Sequence, residues 1–238
     1  MKKFVKDFPF LYYRLLAIKH RLWLIKTAKG LKKYLSGHQT PKLQLGAGSN
    51  NLSGWFNTDY FPRYNIFFAD VTKPFPMPSN SFSFIFSEHH IEHISYKHAI
   101  EMLKETFRIM KPGGFIRIST PDLKKYVNSY REDPFMRSEM AIHARDWIYS
   151  GFYNAVNYIP IDDYFQAHFV NDIFLNYEHH FIYDFTSLSR ILENAGFRNV
   201  INCSSKDSLH PEFNNIETHT DDFDRYFTLS VEAERPLN

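Results

Sequence analysis

Apolar residues near the start of the chain recur with helical spacing. The residues lie three or four positions apart, on one face of a helix: Leu11, Leu15, Ile18, Leu22 and Ile25. The pattern predicts a helix over residues 8–35, with Asp7 and Pro9 as start signals and Gly30 as an interruption or end. A linker is predicted over residues 37–41.

From residue 42 onward the pattern changes to short apolar runs separated by turns and helical segments. The runs predict these strands: Lys42–Leu45, Trp55–Asp59, Asn65–Ala69, Phe82–Phe86, Phe115–Ser119, Val200–Cys203 and Tyr226–Val231. Helical periodicity appears over Ala99–Met110 and Phe185–Ala195, with Gly196 expected as a C-terminal cap. Strands that alternate with helices favour an α/β fold with a mainly parallel sheet covered on both faces.

Composition is typical of a folded globular protein, with 44% apolar and 23% charged residues among 238. The single cysteine, Cys203, excludes an intrachain disulfide and fits a reducing compartment. No apolar run approaches the roughly 20 residues of a membrane span, and no signal peptide is recognisable. We therefore expect a cytoplasmic protein.

The balance of charge and the density of aromatic residues change along the chain. Residues 1–40 carry ten Lys and Arg against one acid, whereas the rest carries 18 basic and 25 acidic residues. We predict a basic amphipathic helical extension over residues 1–40 and one domain over residues 41–238. An insertion at about residues 123–180 is rich in rings that could wall an acceptor pocket, pack in the core or form a homodimer contact: Trp147, Tyr149, Phe152, Tyr153, Tyr158, Tyr164 and Phe165.

Candidate chemistry begins where the first predicted strand ends. The stretch Leu43–Asn50 contains Gly46 and Gly48, whose permissive backbone lets a ligand approach closely. Asp59 and Asp70 close the next two predicted strands. In a Rossmann-type fold, an acid at the first of these positions accepts hydrogen bonds from ribose hydroxyls. An acid at the second can sit beside an adenine amino group.

With these residues the chain resembles class I methyltransferases, most closely the methyltransferase type 11 group of bacterial surface-glycan and secondary-metabolite gene clusters. The likeness covers residues 42–122 and 181–200. It depends on blocks that occur in order: Leu45–Gly48, Asn57–Tyr60, Ala69–Pro76, Asn80–His93 and Leu103–Asp122. Ordered blocks are more specific than a glycine turn alone.

The resemblance implies a Rossmann-like, mostly parallel seven-stranded sheet with an antiparallel last strand, and S-adenosylmethionine as cofactor. Glycines of the bend would flank the methionine part, Asp59 would hold the ribose, and Asp70 with Val71 would contact the adenine. The full set of implied cofactor residues is Gln44, Gly46, Ala47, Gly48, Asp59, Tyr60, Asp70, Val71, Ser87, Glu88 and His89. Gln44 stands where the family usually has an acid, and Asn50 replaces the third glycine.

Candidate general bases are His180 first, then Asp122 and His89. A structural histidine is at least as good an interpretation of His180, and Asp122 could instead cap a helix. His89, Glu92 and His93 form a His-x-x-Glu-His pattern, which occurs in zinc proteases but is also common after the fourth strand of methyltransferases. We therefore predict no metal.

The predicted function is methylation of oxygen or nitrogen on a small molecule or a saccharide. The alternative is a non-catalytic protein of the same fold that binds S-adenosylmethionine and stabilises a partner. A dinucleotide-dependent oxidoreductase is disfavoured, because Asn51 occupies the third glycine position of its fingerprint. The acidic body argues against nucleic acid. For residues 1–35 we favour a solvated cover over an apolar surface, with peripheral membrane contact as the second interpretation.

Overall fold

The computed structural model describes residues 9–130, 165–175, 177–218 and 221–237. Most of the predicted aromatic insertion lies outside these residues, including the rings from Trp147 to Tyr164. The predicted pocket wall and dimer contact in that stretch therefore stay predictions.

The described residues form one seven-stranded sheet. Its strands are β1 (Lys42–Leu45), β2 (Phe56–Asp59), β3 (Ile66–Phe68), β4 (Phe82–Glu88), β5 (Met110–Pro121), β6 (Arg198–Cys203) and β7 (Thr228–Glu234). The spatial order is β3-β2-β1-β4-β5-β7-β6. β1 to β5 pair in parallel, whereas β7 runs antiparallel to both β5 and β6. This confirms the predicted Rossmann-like sheet with an antiparallel last strand.

The strand order reverses between β1 and β4, which are hydrogen-bonded neighbours. In open α/β sheets, ligands bind in the crevice beyond the carboxyl ends of such strands. Both strands are buried on both faces, as parallel strands in α/β proteins are. Leu43, Leu45, Ile85 and Phe86 have no measurable exposure. The sheet therefore holds the ends of β1 and β4 rigidly beside one another.

Helices flank this sheet among the described residues. They are α1 (Pro9–Gly37), α2 (Tyr96–Ile109), α3 (Leu123–Ser129), α4 (Phe165–Leu175), α5 (Phe185–Ala195) and α6 (Asp222–Phe227), with 3₁₀ turns at Ile91–His93 and Pro211–Phe213. α5 begins with a capping box between Asp184 and Ser187 and ends at Gly196, whose φ is +111°. The predicted glycine cap is confirmed. None of the described helices combines the length and hydrophobicity that a bilayer span requires.

α1 contacts the sheet through a different face from the predicted one. The Thr27 hydroxyl donates to the carbonyl of Phe68 on β3 at 3.0 Å, and the Trp23 and Phe68 rings pack 5.4 Å apart. The predicted apolar stripe instead faces solvent, with exposed fractions between 47 and 61%: Leu15, Ile18, Leu22 and Ile25. Spacing identified the helix, but a buried hydroxyl and an indole decided which face the sheet covers.

The prediction that Gly30 interrupts or ends the first helix is wrong, since α1 continues to Gly37. Gly30 lies where the helix crosses β3, and a Cβ at this position would overlap the Phe67 ring. Phe67 is itself stacked on Phe56, with ring centroids 4.5 Å apart. The glycine is therefore needed for close helix–sheet packing, which outweighs its poor helix propensity.

Of the seven strands, β1 keeps its predicted bounds, and β5 and β7 differ most from theirs. β5 begins at Met110, which pairs with Phe82, and the register then shifts so that Phe84 pairs with Phe115. β7 begins at Thr228, because the preceding residues form α6. Helix periodicity is weak in a helix this short, so the sequence favoured an earlier strand start.

A buried ionic cluster joins the sheet to the segment after β6. Arg117 on β5 donates to Glu217 at 2.6 Å and to Glu232 on β7, and all three are nearly or fully buried. Burial would lower the pKa of Arg117, but the two carboxylates outweigh it and raise the pKa above its ordinary value. The guanidinium also donates to the carbonyls of Ser204 and Asp207. The cluster thereby fixes this segment against the sheet.

Candidate active site

The chain bends sharply at the end of β1. Gly46 and Gly48 have φ values of +67° and +55°, a region that favours glycine. The bend is held to β2, because Ala47 N donates to the carbonyl of Thr58 at 2.9 Å. Because the two glycines carry no side chain, a ligand can approach the backbone of this bend at the carboxyl edge of the sheet.

Asp59 at the end of β2 faces this bend. Its Oδ2 accepts a hydrogen bond from Gly48 N, and its Oδ1 accepts one from Phe61 N, both at 2.8 Å. A carboxylate offers about four acceptor positions, so two hydrogen bonds leave capacity for further donors. Asp59 is partly exposed. The carboxylate is thus fixed by backbone groups and accessible to a ligand hydroxyl.

Asp70 follows β3 and lies on the adjoining loop. Its Oδ1 accepts from the Thr72 amide at 3.0 Å and from the Thr72 hydroxyl at 2.7 Å. Val71 beside it is buried, with 7% exposure. The strand before it is tied to β2, since Ala69 N donates to the carbonyl of Asp59 at 3.0 Å. The two carboxylates implied by the resemblance therefore stand at neighbouring strand ends.

Buried polar atoms without partners line the same edge. Among the described residues, Gln44 Oε1, Ser87 Oγ and His90 Nδ1 have neither exposure nor a hydrogen-bond partner. Leu45 pairs with Ser87 across β1 and β4, which brings Gln44 and Ser87 close to the bend. Buried polar groups are usually satisfied, so three beside one glycine bend suggest a polar ligand that supplies the missing partners. The site therefore fits the amino-acid and nucleoside groups of the implied cofactor.

His90 packs directly on the bend, where a Cβ on Gly46 would overlap its ring. Burial lowers the pKa of His90, although the negative charges of Glu92 and Asp59 act to raise it. The imidazole is therefore neutral at physiological pH and can accept or donate one hydrogen bond at Nδ1.

The end of β4 carries Glu88 and His89. The Glu88 carboxylate accepts from the amide of Thr218 at 2.7 Å and from its hydroxyl at 2.9 Å. His89 has a φ of +43°, an uncommon value for this residue type. Its amide donates to the carbonyl of Ser119, and its Nδ1 lies 3.2 Å from Oε1 of Glu92. Left-handed residues at a ligand-binding edge are a frequent form of functional strain.

Glu92 lies fully buried just beyond the end of β4. Its Oε2 accepts from the Thr120 hydroxyl at 2.9 Å, and its carbonyl accepts from His180 N at 2.7 Å. Burial would raise the pKa of Glu92, but the hydrogen bond and charge of His89 outweigh it, so the pKa is below its ordinary value. Glu92 lies in a 3₁₀ turn and contacts two distant segments of the chain.

The candidate bases occupy different environments. His180 is exposed and approaches Glu92 through its backbone amide. Asp122 is buried and caps α3, accepting from Lys124 N at 3.0 Å. Burial raises the pKa of Asp122. Of the three, only His89 both follows β4 and contacts the buried carboxylate of Glu92.

The paired histidines His89 and His93 do not share a helix face, because His89 precedes the turn that contains His93. His93 instead lies against His179, with ring centroids 4.8 Å apart. A long-range contact of this kind leaves no periodic signal, so the sequence alone does not bring these two residues together.

Comparison with known proteins identifies the family of this chain. A family model described as a methyltransferase domain matches residues 36–201. The chain belongs to this family. The matched range contains every residue predicted for the cofactor, and membership indicates S-adenosylmethionine as the methyl donor of this methyltransferase domain.

Solved methyltransferase structures are similar at low identity. One from Thermotoga maritima, described as a SAM-dependent methyltransferase and possible histamine N-methyltransferase, is 16% identical over 99% of this chain and 100% of its own, with a TM-score of 0.45. A SAM-dependent methyltransferase from Archaeoglobus fulgidus is 17% identical over 94% and 99% of the two chains, with a TM-score of 0.45. No curated protein matches the sequence of this methyltransferase domain.

Proposed function

We propose that this domain transfers a methyl group from S-adenosylmethionine to oxygen or nitrogen of a small molecule or saccharide. The observation that carries the proposal is the hydrogen bond from Gly48 N to Asp59, which joins the glycine bend to a strand-end carboxylate. The free acceptor positions of Asp59 suit the two ribose hydroxyls. Asp70 and Val71 would contact the adenine, and Tyr60 would pack on it.

The methionine part of the donor would lie along the bend. Gln44 and Ser87 would supply polar partners there, and they would themselves gain the partners they lack in the folded chain. The backbone of Ala47 would contribute to the wall of this pocket. Glu88 and His89 would lie between donor and acceptor, because Glu88 ends β4 next to the bend and His89 follows it.

S-adenosylmethionine supplies an activated methyl group on a sulfonium, so the residues of this chain mainly have to align the acceptor. Alignment can contribute about 7–11 kcal/mol to lowering a barrier. A base would help a hydroxyl acceptor by roughly 10²–10⁴-fold. His89 has the contacts expected for that role, and His180 and Asp122 remain candidates.

Calorimetric titration with S-adenosylhomocysteine tests the donor site. We expect one equivalent to bind, Asp59→Asn to weaken binding by at least about tenfold because a charged acceptor is lost, and NAD not to bind. Glu101→Gln, an exposed acid on α2, is the matched control and should leave binding unchanged. Equal affinity of both variants, or preference for NAD, would contradict the proposal.

Transfer of labelled methyl to amines, phenols and sugar hydroxyls separates an enzyme from the alternative function. The neutral Gln44 at a usually acidic position favours that alternative, a non-catalytic binding protein. Tight binding of S-adenosylhomocysteine without transfer to any acceptor class would support it.

We also infer that α1 contacts anionic membrane surfaces. α1 lies in the strongly basic extension of residues 1–40, and three of its apolar side chains are 51 to 61% exposed: Leu15, Ile18 and Leu22. Apolar side chains between Lys and Arg suit the interface of an anionic bilayer.

Co-sedimentation of the chain with phosphatidylserine–phosphatidylcholine vesicles tests this inference. The bound fraction should fall as salt is added and in the variant Ile18→Asp. Leu209→Asp, at another exposed leucine, should sediment like the natural chain. Equal loss in both variants would contradict this inference.

A further inference from the structure

Three side chains with metal-binding atoms converge beyond the end of β4. Glu92, His93 and His179 each direct one such atom into a common space, and these atoms lie within 4.8 Å of one another. Two imidazoles and one carboxylate are the ligand set of several catalytic metal sites that keep a coordination position open. The sequence pattern predicted no metal, because His-x-x-Glu-His is also common after the fourth strand of methyltransferases, and that pattern does not include His179.

The chain holds two of these groups, His179 and Glu92, by contacts outside the cluster. Nδ1 of His179 lies 2.7 Å from the carbonyl of Ile173 on α4, so Nδ1–H donates there and Nε2 keeps the lone pair. Metal-binding histidines typically donate their other N–H to a backbone carbonyl in this way. The Thr120 hydroxyl similarly orients Glu92 through Oε2. Both supports have the form expected around a metal ligand.

Backbone contacts bring His179 to the turn that carries the other two residues. The amides of His180 and Phe181 donate to the Glu92 carbonyl at 2.7 and 3.2 Å. Tyr177 and Glu178, just before His179, both have positive φ values of +63° and +58°. Two consecutive left-handed residues other than glycine are uncommon. The segment therefore reaches Glu92 in a conformation that local preference alone would disfavour.

We propose that Glu92, His93 and His179 bind one divalent transition-metal ion, with zinc as the best match to this ligand set. Zinc bonds of about 2.0–2.2 Å put tetrahedral ligand atoms roughly 3.4 Å apart. Closing the cluster therefore requires the ligand atoms to approach one another by no more than about 1.5 Å.

The position of this site suggests a role that rests on the proposed function. Glu92 follows β4 closely, and His90 between them packs on the glycine bend. A hydroxyl acceptor at the open coordination position would lose its proton to water more readily. A lone pair on the acceptor oxygen would then form the bond to the methyl carbon of S-adenosylmethionine. The bond between that carbon and sulfur would break, and its electron pair would stay on sulfur.

Metal binding is tested with the full chain, without a histidine tag, after treatment with a chelator. We expect calorimetric titration with Zn²⁺ alone to give one equivalent, and Co²⁺ to give the visible absorption of a low-coordinate site. His93→Ala and His179→Ala should each weaken Zn²⁺ binding by at least about tenfold. Fe²⁺ and Mn²⁺, titrated separately, distinguish zinc from other divalent ions, and tighter binding of either would overturn the zinc assignment.

His38→Ala is the matched control, since His38 is an exposed histidine outside the cluster. It should bind Zn²⁺ like the natural chain. Absence of a stoichiometric site, or equal weakening by His38→Ala and His179→Ala, would overturn the proposal. Glu92→Gln is measured only if its circular dichroism matches the natural chain, so the histidine variants carry the test.

S-adenosylhomocysteine titration on the same samples separates the two proposals. A chain that binds the nucleoside but no metal overturns the metal site alone. A chain that binds metal but no nucleoside overturns the proposed function and leaves the metal site standing.

Discussion

The imidazole of His90 occupies the space that a side chain at residue 46 would need. His90 belongs to the segment after β4, whereas Gly46 directly follows β1, so this contact joins the ends of the two strands at the point where the strand order reverses. The bend is therefore restricted by its φ of +67° and by a neighbouring ring.

Gly46→Ala should destabilise the chain and weaken binding of S-adenosylhomocysteine. Gly54→Ala is the matched control, because Gly54 also has a positive φ, +78°, but nothing lies within 4 Å of its Cβ position. Both variants carry the left-handed penalty of about 1–2 kcal/mol. Overpacking against His90 should add about 1–3 kcal/mol in Gly46→Ala alone. Urea unfolding measures the difference, and equal losses in both variants would show that His90 yields without strain.

Gly30 allows an equivalent comparison within α1. Gly-to-Ala replacement in a helix normally stabilises by about 0.5–1 kcal/mol. For Gly37→Ala we expect little change, because Gly37 is the last residue of α1 and nothing lies within 4 Å of its Cβ position. Gly30→Ala should instead lower the free energy of unfolding, because its Cβ would overlap the stacked Phe67 ring. If both variants unfold at the same urea concentration, the close packing of α1 on β3 is wrong.

Several parts of this fold and site were accessible from sequence because they depend on neighbours in the chain. Strand-end acids, such as Asp59, and the cap at Gly196 follow from short apolar runs and local turns. The sequence did not reveal which face of α1 packs on the sheet. Leu22 and Trp23 are both apolar, and only the tertiary contact of Trp23 with Phe68 shows which of the two faces the sheet. The approach of His179 to Glu92 likewise depends on backbone bonds between distant segments, which periodicity does not record.

Arg117 carries a clear prediction for stability. Arg117→Met would leave Glu217 and Glu232 buried without their cation, and breaking a buried pair in this way costs about 3–5 kcal/mol. Urea unfolding should show this loss. Adding Glu217→Gln and Glu232→Gln to Arg117→Met should recover part of it, because fewer buried charges remain unpaired. A triple variant less stable than the single one would contradict this account of the cluster.

Glu105 predicts how stability responds to acid. Hydrogen bonds from Arg108 hold the pKa of Glu105 below its ordinary value near 4.5, although partial burial opposes them. Glu105 also accepts from Phe75 N, and Arg108 donates to the carbonyls of Phe75 and Met77, so the pair fixes the loop after Asp70.

A lowered pKa means that the unfolded chain binds the proton more readily than the folded chain does. The contribution of Glu105 to stability is therefore fully present above about pH 5 and declines as the pH falls through the folded pKa, below about 4.5. We expect the difference in unfolding free energy between the natural chain and Glu105→Gln to be constant from about pH 7 to 5 and to shrink below that range. Glu101→Gln, at an exposed acid on the same helix, should give a difference close to zero throughout. A Glu105→Gln difference that stays constant to about pH 3 would mean that the carboxylate charge does not hold this loop.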